Sequence, residues 1–213
     1  GLFTHMDADA DKYGAKARKQ INKDLYGKKG TEDERLVWWN PKDANNKDGG
    51  YQQEKFKFSD IQTWMGDYVW MRIEEMYLIA AEAEGRLGND AGAREYLMDL
   101  MSKRDASYSC AQKSGTSMGK LTSDYTGSLL EEIIIQRRIE LWGEFGRIYD
   151  IRRLKQGFKR TAEMGWPTDA LLVNRNANDP ESYMWVLTIP QTEFDGNSSL
   201  DQTKDQNPVG DTK

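Results

Sequence analysis

The fold is decided by residues 129–153, LLEEIIIQRRIELWGEFGRIYDIRR, in which apolar and charged side chains share the same helical turns. Apolar residues recur at helical spacing, and Gly143 and Gly146 break the pattern before a second, shorter helix begins. The same turns carry a dense set of charges, namely Arg137, Arg138, Glu140, Glu144, Arg147, Asp150, Arg152 and Arg153. Because charged groups in packed regions are paired, this stretch predicts ion pairs held between packed helices and not a solvated helix face.

A second pair of helices is predicted upstream, at about residues 70–87 and 91–104. Asn89 or Asp90, in the Gly-Asn turn between them, can cap the second helix. A helix, a tight turn and an antiparallel helix form a hairpin of the kind found in tetratricopeptide units. Together with the segment at 129–157, this pattern predicts a mainly α protein in which helical hairpins stack into a superhelix.

The remaining segments are predicted to be loop-rich. Residues 1–69 are polar and aromatic, with an expected helix at 9–26 and expected strands at 36–39 and 55–58. A Ser/Gly/Thr-rich loop at 107–128 separates the two hairpins, and the C-terminal third lacks helical periodicity apart from a candidate strand at 185–189. We therefore divide the chain into a loop-rich segment 1–69, hairpins 70–105 and 129–157, and an irregular C-terminal strap 158–213.

Composition excludes several classes of function. The 213 residues carry a net charge of −5, so there is no basic surface for nucleic acid. The single cysteine, Cys110, excludes an intrachain disulfide, and the single histidine, His5, argues against His-based catalysis or a multi-histidine metal site. No apolar run is long enough for a transmembrane helix. Gly1 is not a native start, so we expect that the chain was processed or cut and that a signal or lipid-anchor cysteine was removed.

The charged residues of the two hairpins predict a structural network and not a catalytic site. Glycoside hydrolysis needs two carboxyl groups that flank an open cleft, whereas Glu140 and Glu144 lie one helical turn apart beside arginines. The predicted ion-pair network consists of Arg72, Glu75, Arg137, Arg138, Glu140, Glu144, Arg147, Asp150 and Arg152. We expect no catalytic residue and no cofactor.

Two stretches alternate acidic residues as calcium loops do. At Asp7, Asp9 and Asp11, and again between Asp195 and Asp201, the glycine and final glutamate of the EF-hand pattern are missing. We therefore expect no metal site at either stretch.

Aromatic residues in polar loops are the best candidates for binding. Aromatic faces stack on the C–H faces of sugar rings, while neighbouring amides and charged groups bond hydroxyls. The candidate glycan-binding residues are Trp38, Trp39, Asn40, Lys42, Gln62 and Trp64. The alternative is that Trp38 and Trp39 lie on a strand, with one ring facing the core and the other facing solvent. For Tyr51, Trp166 and Tyr183 we favour a role as lids on the core.

Three stretches of the chain carry recognisable motifs: YVWMRIEEMYLIAAEAEGRL at 68–87, QRRIELWGEFGRIYDIRR at 136–153, and the tail motifs IPQTE at 189–193 and DQNP at 205–208. In this order and spacing they resemble the SusD/RagB family of glycan-binding outer-membrane lipoproteins. Gln136 replaces the family's usual glutamate, and Phe145 separates Glu144 from Gly146. Members of the family are about twice as long, and their N-terminal half, with the lipidated cysteine, has no counterpart here.

The resemblance implies a non-enzymatic protein at the cell surface. It would capture an oligosaccharide or polysaccharide and pass it to a SusC-like, TonB-dependent outer-membrane transporter. Trp38→Ala or Trp39→Ala would then weaken ligand binding without unfolding the helices. Two other classes of function stay open: a helical-repeat adaptor that binds only protein, and, with less support, a glycosidase.

Overall fold

The computed structural model describes residues 20–21, 23–40, 51–60, 62–63, 65–67, 69–144, 146–164, 179 and 186–208. Within these ranges the long helices are α2 (Ile73–Arg86), α3 (Asp90–Met101) and α4 (Leu129–Glu140), and α5 (Arg147–Arg153) follows α4. The shorter elements are β1 (Gln20–Ile21), α1 (Lys23–Tyr26), a 3-10 helix (Glu34–Trp38), β2 (Trp39–Asn40), β3 (Tyr51–Gln53), α6 (Gln191–Gly196) and α7 (Gln202–Asp205). The predicted mainly α fold class is confirmed, and its tetratricopeptide-like detail stays a prediction.

Helices α2 and α3 are joined by the predicted tight turn. Gly88 adopts a φ of 82°, a left-handed conformation that glycine reaches without a steric penalty. The side chain of Asn89 accepts a hydrogen bond from the Gly92 backbone N–H at 3.1 Å, which caps α3. A Cβ on Gly85 would lie 3.7 Å from the Ala93 Cβ, so two small residues let the helices approach closely.

Helix α4 lies between two hydrophobic clusters. Leu129 and Ile133 belong to the cluster formed with α2 and α3, while Ile135 and Ile139 belong to a second cluster near the N-terminal sheet. Eleven of its twelve residues are buried. Because α4 is enclosed and half of its residues are polar or charged, those side chains must find partners inside the fold.

The N-terminal region departs from the predicted secondary structure. Gln20–Ile21 pairs with Tyr51–Gln53 as a strand, and β3 also pairs with β2, giving the antiparallel order β1-β3-β2. The predicted helix at 9–26 is therefore wrong at residues 20 and 21. Among its described residues, Lys23–Tyr26 are helical, and residues 9–19 and 22 lie outside the described part of the chain.

Of the two predicted strands of this region, the one at 36–39 is retained only at Trp39, which begins β2, and the one at 55–58 is replaced by irregular structure. Residues 34–38 form a 3-10 helix because the Asp33 carboxylate accepts a hydrogen bond from the Arg35 backbone N–H at 2.8 Å, a local cap that competes with strand pairing. Residues 55–58 are irregular because the Gln53 side chain bonds both the N–H and the C=O of Phe56. The strand lies at Tyr51–Gln53 instead.

The described part of the C-terminal strap is anchored by its own two motifs. The Gln206 amide bonds both backbone groups of Ile189, at 2.8 and 2.9 Å, and the Asn207 amide donates to the Leu187 carbonyl at 2.8 Å. Two short helices, α6 and α7, lie between the motifs in a segment expected to be irregular. Residues 186–189 are not a strand, and residue 185 lies outside the described ranges.

No helix among the described residues is both long and apolar enough to span a membrane.

Candidate functional site

The first predicted site residues, Trp38 and Trp39, lie at the end of the 3-10 helix and the start of β2. Their ring centroids are 5.8 Å apart, with the planes inclined at 61°. Trp39 is only 1% exposed and also contacts the rings of Tyr26 and Trp142 edge to face. Trp38 is half-buried. The two rings therefore face different environments, with Trp39 in the second hydrophobic cluster and Trp38 packed beside it.

The other candidate ligand-binding residues are only partly described. Asn40 pairs through its backbone with Gln52. Gln62 is exposed in a turn whose ends pair at Asp60 and Met65, and its N–H donates to the Asp60 carboxylate at 2.9 Å. Lys42, Trp64, Trp166 and Tyr183 lie outside the described residues, as do His5 and the aspartates at 7, 9 and 11. The structure thus brings Trp38 and Trp39 together and leaves Gln62 in a separate turn.

Two cations pack on Trp38. The Lys55 Nζ lies 4.7 Å from the Trp38 ring centroid, and the Arg104 Cζ lies 5.8 Å from it. Cations at such distances are attracted by the negative face of the ring. Lys55 and Arg104 also bind acidic residues, so Trp38 covers one end of a charged cluster.

The charged cluster is centred on Glu140, whose side chain has no exposed surface. Glu140 accepts hydrogen bonds from Arg35 at 3.3 Å, from Arg72 at 2.9 Å and from Arg104 at 2.8 and 3.1 Å. Burial acts to raise the pKa of the Glu140 carboxyl, but hydrogen bonds from Arg104 and Arg72 outweigh it and hold the pKa below its usual value. Glu140 is therefore an ionised anchor and not a proton donor near neutral pH.

Glu144, in the turn that follows α4, extends this cluster. It accepts from Arg72 at 2.8 and 3.1 Å and from Lys55 at 2.5 Å, and the Lys55 Nζ also donates to the backbone carbonyls of Glu140 and Trp142. Burial lowers the pKa of Lys55 to about 8, against the opposing effect of Glu144. We define the Glu140 cluster as Asp33, Arg35, Lys55, Arg72, Glu74, Arg104, Glu140 and Glu144, a set of four cations and four carboxylates.

A second charged cluster joins α2, α4 and α5. Arg137 pairs with Asp150 at 3.0 Å and with Glu75 at 2.8 Å, while Arg153 pairs with Asp150 at 2.8 Å. Glu82 on α2 pairs with Arg153 at 2.5 Å and with Arg86 at 2.8 Å. These contacts clamp α5 onto the first helical hairpin.

Six of the nine residues predicted for the structural network form ion pairs in these two clusters: Arg72, Glu75, Arg137, Glu140, Glu144 and Asp150. Arg138 donates instead to the Thr122 carbonyl at 3.0 Å, and Arg152 is exposed. Arg147 forms no salt bridge with a carboxylate in the described part of the chain. The sequence missed Arg35, Lys55 and Arg104 because they lie 105, 85 and 36 residues from Glu140. No local spacing could have signalled those contacts.

The sequence also placed Trp70 in the first turn of a helix, whereas the helix begins at Ile73 and Trp70 precedes it. Trp70 is 84% exposed, and its neighbours Val69 and Met71 are exposed as well. Large exposed aromatic residues often mark binding surfaces. Trp70 lies two residues from Arg72, so it belongs to the chain segment that leads directly into the Glu140 cluster.

A sequence profile described as the SusD family matches residues 10–208. The chain belongs to the SusD family. No curated protein matches it significantly.

Two solved structures from Bacteroides vulgatus ATCC 8482 share the SusD-family fold. One is a SusD-like carbohydrate binding protein, 25% identical, with a TM-score of 0.61 over 85% of this chain and 41% of its own. The other, proposed to bind sugar, is 24% identical, with a TM-score of 0.61 over 88% of this chain and 38% of its own. The chain thus spans less than half the length of either structure.

Lys29 gives the site region a testable pH dependence. Its Nζ lies 3.6 Å from the Tyr26 ring centroid and 4.7 Å from that of Trp39, and burial lowers the pKa of Lys29 from 10.5 to about 7. Between these values the unfolded chain binds more protons than the folded one, so the contribution of Lys29 to stability increases as the pH rises. We expect the stability of the wild type relative to Lys29→Met to increase from about pH 7 to about pH 10.

The measurement for Lys29 is the midpoint of urea unfolding at a series of pH values. Lys55, whose pKa is also lowered, is present in both proteins. Its contribution to the pH dependence of the unfolding free energy therefore cancels when the two proteins are compared. Lys103 is exposed, so the stability of Lys103→Met should depend on pH in the same way as the stability of the wild type. A constant difference between wild type and Lys29→Met across the range would contradict the buried position of the amine.

Proposed function

We propose that the chain is part of a non-enzymatic, cell-surface glycan-binding lipoprotein that passes its ligand to a SusC-like, TonB-dependent outer-membrane transporter. Membership of the SusD family is the observation that carries this proposal, and the carbohydrate-binding neighbour at 25% identity supports the class of ligand. The ligand is an oligosaccharide or polysaccharide. The chain holds it by aromatic stacking, which gives modest affinity and rapid release.

The state of the carboxylates supports a binding role over catalysis. A glycosidase needs a carboxylic acid with a raised pKa and a second carboxylate across an open cleft. Glu140 is enclosed by three arginines and its pKa is lowered, and the pKa of Glu82 is lowered in the same way, because Arg153 and Arg86 outweigh the effect of burial. These two carboxylates stay ionised and tied to their partners.

Trp70 and Trp38 are the aromatic platforms that we propose. Trp70 offers the larger exposed surface, and Trp38 adds a partly covered ring on which Lys55 and Arg104 pack. The sequence-based proposal also included Trp39, Asn40, Lys42, Gln62 and Trp64. Of these, Trp39 has almost no exposed surface on which a sugar could stack.

A binding assay tests this proposal. We expect affinity electrophoresis against a panel of soluble polysaccharides to show retardation by at least one of them, with a change in tryptophan fluorescence. Trp70→Ala should weaken that binding about fivefold, since one aromatic contact contributes about 1 kcal/mol. Leu87→Ala, at an equally exposed apolar residue of the turn that follows α2, is the matched control and should bind like the wild type. Equal binding by all three proteins would exclude Trp70 as a platform.

A protein-only adaptor is the second candidate, and one observation favours it. Ile73, Met76 and Ile79 form an exposed apolar stripe on α2, on the side opposite its buried Leu78 and Ala81. A helix that is apolar on both sides usually packs on both sides. Absence of binding to every polysaccharide, together with a protein complex that Met76→Glu disrupts, would favour the adaptor.

A further inference from the structure

A cleft opens where the C-terminal ends of α2 and α5 meet the start of α4 and the loop at 107–128. Its volume is about 340 Å³, and pockets that hold small ligands begin at about 300 Å³. The residues that line it are Arg86, Thr116, Met118, Leu130, Arg153 and Leu154. The described lining therefore contains two arginines and no carboxylate, which favours a negatively charged ligand.

The loop wall of this cleft is held in place by hydrogen bonds. The carbonyl of Ser117, which lies between two lining residues, accepts from the Ser128 hydroxyl at 2.6 Å and from the Thr126 hydroxyl at 2.9 Å. The backbone N–H of Leu130 donates to the Gly115 carbonyl at 3.1 Å. A cleft whose walls are fixed before the ligand arrives loses little conformational freedom on binding.

Arg86 brings unused hydrogen-bond donors to the cleft. Its Nε donates to the Glu82 carboxylate at 2.8 Å, while its Nη1 and Nη2 atoms have no acceptor among the described residues. Arg153 donates to both oxygens of the same carboxylate, so Glu82 is already paired. The side chains of Arg86 and Arg153 are 46% and 40% exposed, so a ligand can reach both of them.

The rest of the lining is mainly apolar. Leu130 is buried, Met118 and Leu154 are half-buried, and the exposed Thr116 adds one hydroxyl. A ligand that matches these surfaces combines an apolar face with a negative group. An acidic sugar residue has both, because its ring has a C–H face and it carries a carboxylate.

We propose that this cleft binds an acidic sugar residue of the uronic acid class. The inference rests on the proposed glycan-binding function and specifies the class of glycan. The planar guanidinium of Arg86 presents its N–H groups in a geometry that matches a carboxylate, and Arg153 adds positive charge beside it. Arg86 lies at the opposite end of α2 from Ile73, about 20 Å away, so this subsite is separate from the platform at Trp70.

The test is affinity electrophoresis of the chain in polygalacturonate, alginate and hyaluronate, with dextran and galactan as neutral polysaccharides. We expect at least one acidic polysaccharide to retard the chain. Arg86→Met should weaken that binding about tenfold, the effect expected when a hydrogen bond to a charged group is lost. Glu82 keeps Arg153 as its partner in this variant, so the fold should persist, and circular dichroism checks it. Arg152→Met is the matched control and should bind like the wild type, because it removes the same charge from an exposed residue outside the lining.

Methyl esterification of the bound polysaccharide tests the same contact from the ligand side, without a protein variant. It removes the negative charge and keeps the sugar chain, so it should weaken binding to the wild type at least as much as Arg86→Met does. Unchanged binding after esterification, or equal binding by Arg86→Met and Arg152→Met, would overturn the proposal. Retardation by neutral polysaccharides alone would overturn it and leave the glycan-binding function standing. Absence of binding to all five polysaccharides would count against both.

Discussion

Replacing Glu140 with glutamine should destabilise the protein by about 3–5 kcal/mol, because removing one partner of a buried ion pair leaves the other charge uncompensated. Glu140 has no exposed surface and is bonded by Arg35, Arg72 and Arg104. Glutamine keeps the size of the side chain, so the change isolates the charge. Urea unfolding measures the difference in unfolding free energy between the two proteins, provided that the slope of free energy against urea concentration is the same in both.

Glu95→Gln on α3 is the matched control for Glu140. Glu95 is exposed, and surface substitutions of this kind stay within about 0.5 kcal/mol of the wild type. The difference in unfolding free energy between wild type and Glu140→Gln should also become smaller below about pH 4.5. Because the pKa of Glu140 is lowered in the folded state, the carboxylate stabilises the fold only while it is ionised, and that stabilisation is lost as the pH falls and the carboxyl is protonated. If Glu140→Gln lowers the free energy of unfolding by less than about 1 kcal/mol, the three arginines find other partners in the variant.

Replacing Trp39 with alanine should cost about 3–5 kcal/mol, the range found for buried tryptophan and phenylalanine residues. Trp39 is 1% exposed and contacts three aromatic rings, so alanine would leave a cavity at the centre of the second cluster. This differs from the sequence-based expectation that Trp39→Ala would weaken ligand binding and leave the helices folded.

Trp70→Ala is the matched comparison for Trp39, since the same side chain is removed from a position that is 84% exposed. We expect that variant to stay within about 0.5 kcal/mol of the wild type. Urea unfolding followed by circular dichroism distinguishes the two. Equal decreases in the free energy of unfolding of both variants would mean that burial does not determine how much each ring contributes to stability. Any change in ligand binding by Trp39→Ala must be corrected for the unfolded fraction.

The sequence by itself determined the helices and the class of protein. Apolar spacing in residues 70–87, 91–104 and 129–140 is long and regular, and local signals such as Asn89 fix where a helix begins, so these elements agree with the structure to within a few residues. The motifs in the same stretches were sufficient to identify the SusD family. Helical period and capping act over a few residues, which is why one sequence reveals them.

Only the tertiary structure decided which charges pair and which tryptophan is exposed. Glu140 draws its cations from residues 36 to 105 positions away, and no local pattern links them. Trp39 and Trp70 both lie in short apolar stretches of the sequence, yet Trp39 is enclosed by rings from distant segments and Trp70 faces solvent. Burial and ion pairing depend on where the chain returns in space, so they follow from the packing of α4 against both of its neighbouring clusters.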